Sequence, residues 1–201
     1  MNKNTYKVVA IIGKSGSGKD TLLKNFLKDY THQNDIHKIV SYTTRPPREN
    51  EENGKEYFFV SKEEFAEKVL SFEMLEAAEF RNWHYGTGLQ SLDKNKVNIG
   101  IFDPERVSIL ADNPLIELYI IEVRTSAKER LLRQLMREDD PDINEIFRRY
   151  NTDENDFYDL DLDTYIIFNE NEEELKVCIN FLKSVVNTIR PDLDVPLGDN
   201  G

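Results

Sequence analysis

The segment Gly13-Lys14-Ser15-Gly16-Ser17-Gly18-Lys19-Asp20-Thr21 limits what this chain can fold into more than any other stretch. An apolar run, Val8 to Ile12, leads into it, and a helical pattern, Leu22 to Leu27, leads out. Strand, glycine-rich turn and helix, in that order, are the setting of a phosphate-binding loop. Glycines let the backbone curl until successive N–H groups face inward, and the helix start adds unpaired N–H groups and a favourable dipole. Gly13, Gly18 and Lys19 fit the spacing G-x-x-x-x-G-K-S/T, in which the lysine acts as a point charge on the β- and γ-phosphates of a nucleoside triphosphate. The pattern next asks for a magnesium-ligating Ser or Thr. Here Asp20 stands there and Thr21 follows. Asp20 can hold the metal through water, or Thr21 can take over part of the role. An ordinary glycine-rich turn is the competing explanation, and position, spacing and flanks together weigh against it.

Charge narrows the partners. The net charge is −12 over 201 residues. Nucleic-acid binding needs a basic face, so nucleic acid is not expected as a partner. Arginines in so acidic a chain are worth locating, and they cluster: Arg45 and Arg48, then Arg130, Arg133, Arg137, Arg148 and Arg149. Solvated surface charge accounts for most arginines, and anion binding is the alternative that the clustering raises. No apolar run approaches the ~18 residues of a membrane span. Met1 to Thr5 lacks an apolar signal core, and the single cysteine, Cys178, lies in an apolar helical pattern and reads as a reduced core residue. A cytoplasmic setting fits. The three histidines have no metal-ligand spacing, and no serine-histidine-acid set stands out.

Along the chain, strands are predicted at Val8–Ile12, Ile36–Val40, Tyr57–Val60, Lys96–Phe102, Ile116–Val123 and Thr164–Phe168, from β-branched and aromatic content. The stretch Phe72–Phe80 fits strand or helix on pattern alone. Ser61 with Glu64, and Ser126 with Glu129, form capping boxes that open helices. Pro104 is well placed to start a helix after Asp103, Asp140-Pro141 to restart one that runs beyond Tyr150, and Glu172 to about Val186 to close the chain. Strands alternating with helices imply a parallel sheet covered on both faces. Residues 41–90 break that rhythm and read as a small subdomain inserted into an α/β core of 6–40 and 91–187. Residues 190–201 are polar, with two prolines, and read as a frayed tail.

The loop, the segment Ser41-Tyr42-Thr43-Thr44-Arg45-Pro46-Pro47-Arg48, the following Glu51, Gly54, Tyr57, Phe59, Val60 and Ser61, and the turn Tyr85-Gly86-Thr87 together resemble guanylate kinase over residues 6–185. The family pattern is S-x-T-T-R-x-P-R, an acidic turn, then Y-x-F-V-S. The resemblance implies a three-layer P-loop NTPase core, a subdomain for the nucleoside monophosphate, and a helical lid at about 133–150. It implies that Gly13, Ser15, Gly16, Ser17, Gly18, Lys19, Asp20, Thr21 and, on the adenine side, Asn169 bind ATP. Mg2+ would accompany ATP at Asp20 and Thr21. For GMP it implies Ser41, Arg45, Arg48, Tyr57, Glu76, Tyr85, Thr87 and Asp103. Glu76 is the guanine-binding carboxylate, for which a solvated helix acid is the plainer alternative, and Ser41 and Thr87 are its hydroxyl partners. For the tyrosines the plainer alternative is aromatic packing, and for Asp103 it is helix capping.

Two departures stand out. The family reads D-x-D-x-Q-G near Asp103, where this chain has Gly100-Ile101-Phe102-Asp103-Pro104-Glu105-Arg106, lacking one aspartate, the glutamine and the glycine. The lid pattern R-x-R-x-R is met by Arg133 and Arg137, with Leu135 between them, and the later I-x-x-R by Ile146 to Arg149. Arg137 and Arg149 are the arginines expected to close over the phosphates, with Lys19 and Arg45 completing the catalytic set. Arg130 and Arg148 are expected at the surface.

The expected activity is transfer of the γ-phosphoryl group of ATP to GMP or dGMP. The acceptor phosphate is already ionised near neutral pH, so the chemistry is positioning and charge neutralisation without a general base. The alternatives are a broader (deoxy)nucleoside monophosphate kinase or a ribose bisphosphate kinase of the same fold, whose Gly-Lys-Asp form Gly18-Lys19-Asp20-Thr21 resembles, an inactive binding module, and a stand-alone ATPase. The sequence does not fix an oligomeric state.

Overall fold

In chain order the elements are β1 (Tyr6–Ile12), α1 (Lys19–Asp29), β2 (Ile36–Lys38), β3 (Ser41–Thr43), β4 (Tyr57–Phe59), α2 (Lys62–Leu70), β5 (Met74–Phe80), β6 (Trp83–Gly88), β7 (Val97–Ile101), α3 (Pro104–Ala111), β8 (Ile116–Arg124), α4 (Ala127–Leu135), α5 (Ile143–Asp156), β9 (Tyr165–Phe168) and α6 (Glu172–Ile189). They come from a computed structural model that describes residues 5–47, 51–80, 82–137, 141–158 and 160–190.

β1 is the middle strand of a five-stranded parallel sheet with order β2-β7-β1-β8-β9. Parallel strands must be covered on both faces, so the central one is apolar throughout. Val9 and Ile11 pack with Leu22 and Phe26 of α1 and Leu182 and Val186 of α6. The alternate residues, Val8, Ala10 and Ile12, pack with Val107 and Leu110 of α3. This is the α/β, three-layer arrangement expected. Cys178 is a free thiol in the first of these clusters, and burial pushes its pKa up. Among the described residues no helix is long and apolar enough to cross a membrane.

Residues 41–88 build a second, four-stranded sheet of order β4-β3-β6-β5. β3 and β4 are parallel, and the other pairs are antiparallel. The ambiguous stretch before Phe80 is therefore a strand, because pairing with β6 overrides the helix-forming Leu, Glu and Ala of its sequence. Ser61 and Glu64 make the reciprocal capping box at α2. At α4 only half of the expected box forms. Ser126 accepts from Glu129 N–H, but its own N–H donates to Glu170. α5 starts at Ile143 with Asp142 as its cap, two residues after the expected proline. α6 runs three residues beyond Val186. Arg48, residues 138–140 of the expected lid and residues 191–201 of the expected tail lie outside the described residues.

Candidate active site

The loop lies at the C-terminal end of β1, where open α/β sheets bind ligands. Gly18 caps α1 with φ 89° and no side-chain cap, which leaves the helix N–H groups open. At Gly16, φ is 81° and a Cβ would stand 2.5 Å from the Arg130 carbonyl oxygen, so only glycine fits. Lys19 curls back over the loop and donates to Gly13 O at 2.5 Å and Lys14 O at 3.2 Å. Burial pulls its pKa down, against the attraction of Asp20 and Asp153.

A carboxylate from α5 occupies the loop. Ser15 N–H donates to Asp153 Oδ2 at 2.6 Å, and the adjacent Lys14 pairs with Glu154 at 2.5 Å. From below, buried Asn169 donates Nδ2 to Ser17 O at 2.8 Å. Arg133 donates NH2 to Asn169 O at 2.9 Å and NH1 to Ser17 O at 3.4 Å. The Ser17 hydroxyl is buried with no hydrogen-bond partner among the described residues. Asp20 and Thr21 are exposed in the first turn of α1.

A cavity of about 660 Å³ opens beside the loop. Gly13, Ser15, Lys19, Tyr57, Tyr85 and Arg106 are among the residues that line it. Arg45 stands 5.5 Å from the Tyr57 ring centre and 5.6 Å from that of Phe59, and pairs with Glu51 at 2.9 Å. The Tyr57 and Tyr85 rings meet edge to face at 5.9 Å. Burial raises the Tyr57 hydroxyl pKa, with Arg106 opposing, so the phenol is a donor at neutral pH.

Pairing of β5 with β6 sets Glu76 opposite Thr87, just after a register shift between Met74 and Glu76. Such irregularities re-aim side chains next to functional sites. Ser41 Oγ completes the group at 3.1 Å from Thr87 Oγ1. Arg106 fills the middle of it. Its Nε and NH2 donate to the two Glu76 oxygens at 2.8 and 2.6 Å, and NH2 is 2.9 Å from both hydroxyls. Glu76 and Arg106 are each 3% exposed. Burial alone would lower the Arg106 pKa, but Glu76 outweighs it and holds the guanidinium charged. Arg106 can reach this pocket because Asp103 caps α3, accepting Arg106 N–H at 2.9 Å, with Pro104 next in the first turn.

The family model for guanylate kinase matches residues 5–186 of this chain. The chain belongs to the guanylate kinase family. A guanylate kinase of Campylobacter jejuni (strain RM1221) is 30% identical over 183 residues, covering 89% of this chain and 87% of that protein. One from Schizosaccharomyces pombe is 36% identical over 131 residues, covering 63% and 64%. The crystal structure of guanylate kinase from Anaplasma phagocytophilum superposes with a TM-score of 0.63 at 20% identity, over 94% of this chain and 89% of that one, and shares the fold. Guanylate kinases are ATP-dependent nucleoside monophosphate kinases.

Within this guanylate kinase fold, Ser41, Glu76 and Thr87 converge on one pocket, and Arg45, Tyr57 and Tyr85 form a group of their own. Glu76 lies on a strand and is buried, which removes the solvated-helix alternative. Asp103 is the helix cap that its position before Pro104 suggests, and it also lines the cavity. Arg137 is exposed past the end of α4, and Arg149 donates to Glu145 at 2.7 Å. Arg130, expected at the surface, is instead 3% exposed. It lies 5.1 Å from the Tyr150 ring centre and pairs with Glu154 at 3.0 Å and Asp153 at 3.8 Å. Those carboxylates are more than twenty positions away in the chain, so a helical arginine pattern gave no sign of them. Asp153 and Arg106 are further contributors that sequence reasoning did not single out, and Arg133, matched there to the lid pattern, donates to the Ser17 and Asn169 carbonyls. For Arg106 the available signal is the broken family pattern around Asp103.

Proposed function

We propose that the protein transfers the γ-phosphoryl group of ATP to GMP or dGMP, giving ADP and GDP or dGDP. One observation carries this reading: the phosphate loop with Lys19 and the group at Tyr57 and Tyr85 line a single cavity, so a donor and an acceptor phosphate can meet in it. Lys19 and the amides of residues 13–21 hold the β- and γ-phosphates. Arg45, Tyr57, Tyr85 and Arg48 hold the acceptor phosphate, with Asp103 at the cavity wall, and Ser41, Glu76 and Thr87 read guanine. Arg137 and Arg149 swing in as a lid of about 133–150 closes, excluding water from the transfer. Asn169 borders the adenine end. Residues 41–90 form the acceptor subdomain on the core of 6–40 and 91–187.

Mg2+ fits the donor side. It takes one or two protein oxygens alongside phosphate oxygens and water, and Asp20 and Thr21 offer hard oxygen donors beside Lys19. When bound it supplies charge neutralisation between the β- and γ-phosphates. Neither nucleic acid nor membrane is a partner in this reading, and the setting is cytoplasmic.

A coupled ADP-release assay with ATP and Mg2+, run across GMP, dGMP, AMP, dTMP and no acceptor, tests it. Turnover confined to GMP and dGMP is expected. Equal turnover on the other monophosphates, or ADP release without acceptor, overturns it.

A further inference from the structure

Arg106 satisfies its pocket as guanine would. A guanidinium and the N1–C2 edge of guanine are the same chemical fragment, parallel N–H donors borne by one carbon, and a carboxylate accepts both. Here Arg106 Nε and NH2 make that pair with Glu76, and NH2 lies within hydrogen-bond distance of Ser41 Oγ and Thr87 Oγ1. Its Cζ also lies 4.9 Å from the Phe102 ring centre, so an aromatic wall borders the group. The Glu76 side chain has no exposed surface and that of Arg106 only 4%, so the two oxygens cannot serve both the arginine and a guanine.

We propose that Arg106 is a specificity-determining residue of the acceptor site, an internal competitor that GMP must displace from Glu76, Ser41 and Thr87. This rests on the guanylate kinase reading above. The displaced side chain has a neighbouring partner. Its NH1 is already 4.0 Å from Asp103 Oδ2, and that carboxylate is half-exposed at the cavity wall. A turn of the arginine toward Asp103 clears Glu76 while keeping the guanidinium paired.

The exchange sharpens selection and weakens binding together. Guanine replaces both donors that Glu76 loses. Adenine presents no such pair, so Glu76 keeps Arg106 and the base finds its subsite filled. Every GMP that binds must first break the bidentate contact, which lowers its affinity.

Titration calorimetry of the wild-type protein, Arg106→Ala and Arg106→Gln with GMP and with AMP tests the competition. Arg106→Gln leaves Glu76 an amide donor, so folding does not hinge on the alanine variant, and melting curves establish that each is folded. Both variants are expected to bind GMP at least tenfold more tightly than wild type, with a smaller change for AMP. The gain should appear in KM for GMP and not in KM for ATP. In the wild-type protein the Arg106 Nε–H resonance should shift as GMP is titrated and stay in place with AMP. GMP affinity that is unchanged or weaker in both folded variants overturns the proposal, as does an Arg106 resonance that stays put under saturating GMP. The two readings separate cleanly. If wild type phosphorylates GMP and the variants gain nothing, only the Arg106 competition falls. If no form binds or phosphorylates GMP, the guanylate kinase reading falls and the competition with it.

Discussion

The two ends of the cavity are each held by a charge of the protein's own, and they are held very differently. At the loop, the Asp153 carboxylate rests on the Ser15 N–H, with its side chain 16% exposed. At the base pocket, Arg106 is locked to Glu76 by two bonds and touches two hydroxyls, with both side chains almost fully enclosed. A backbone concavity accepts any anion, so a triphosphate with more charge and more oxygens readily takes the place of one carboxylate. A closed pocket with one bidentate partner yields only to a group that reproduces the same donors. On the proposed function, generic recognition of phosphate and selective recognition of a base would follow from how tightly each site is filled by the chain itself.

The largest effect belongs to the loop. Lys19→Ala should cut phosphoryl transfer by roughly 10³, the scale of losing a preorganised charge at a reacting centre. Its Tm should not fall, because burial already penalises this ammonium in the folded protein. Steady-state rates and a melting curve on the same sample check both halves. The next effect belongs to the pocket and is one of stability. Glu76→Ala breaks the buried bidentate pair and leaves Arg106 only the more distant Asp103 carboxylate, a loss of ~3 kcal/mol, the lower end for a broken buried pair. For a chain of this size that is a Tm drop on the order of 10 °C. Asp153→Asn should barely move Tm, so calorimetric scans of the two variants side by side would break the contrast if their losses were equal.

The same contrast explains what the sequence makes legible. β1, the loop and α1 follow from a local apolar run and a glycine spacing, and the capping box at α2 from four adjacent residues. The pocket around Glu76 depends on contacts that local pattern does not carry. β5 is a strand only because β6 pairs with it, and the register shift before Glu76 has no mark in the sequence. Arg106 sits 30 positions from Glu76 and 65 from Ser41, and its direction is set by the cap at Asp103 and by where α3 meets the second sheet. The missing family pattern shows that something differs there but not that an arginine fills the space. Arg130 is hidden for the same reason, since its carboxylate partners arrive on α5.

A smaller effect concerns the loop again. Asp153→Asn removes a negative charge from the loop proposed to bind phosphate, so ATP affinity should rise by about tenfold, equivalent to ~1.4 kcal/mol and well within the Coulomb energy of charges a few ångströms apart. Equilibrium titration with ATP and Mg2+ measures it. An ATP affinity that falls would mean that the carboxylate assists the nucleotide, and the two ends of the cavity would no longer be alike in being self-occupied.

The smallest effect tests how loosely α5 is tied to the loop. Glu154 accepts from Lys14 at 2.5 Å and from Arg130 at 3.0 Å, and the Lys14 bond leads in holding its pKa below the usual carboxylate value of 4.5. Between that lowered value and 4.5 the unfolded chain binds more protons than the folded one, so the stabilisation is complete above 4.5 and disappears as pH falls through the folded value. The Glu154 side chain is 44% exposed, and solvent screens such pairs heavily. Glu154→Gln should therefore lower Tm only slightly at pH 7 and converge with wild type in acid. A large Tm loss that persisted at low pH would show α5 to be anchored by packing around Glu154 and not by its charge, and would place the donor end of the cavity in the same tightly filled class as the base pocket.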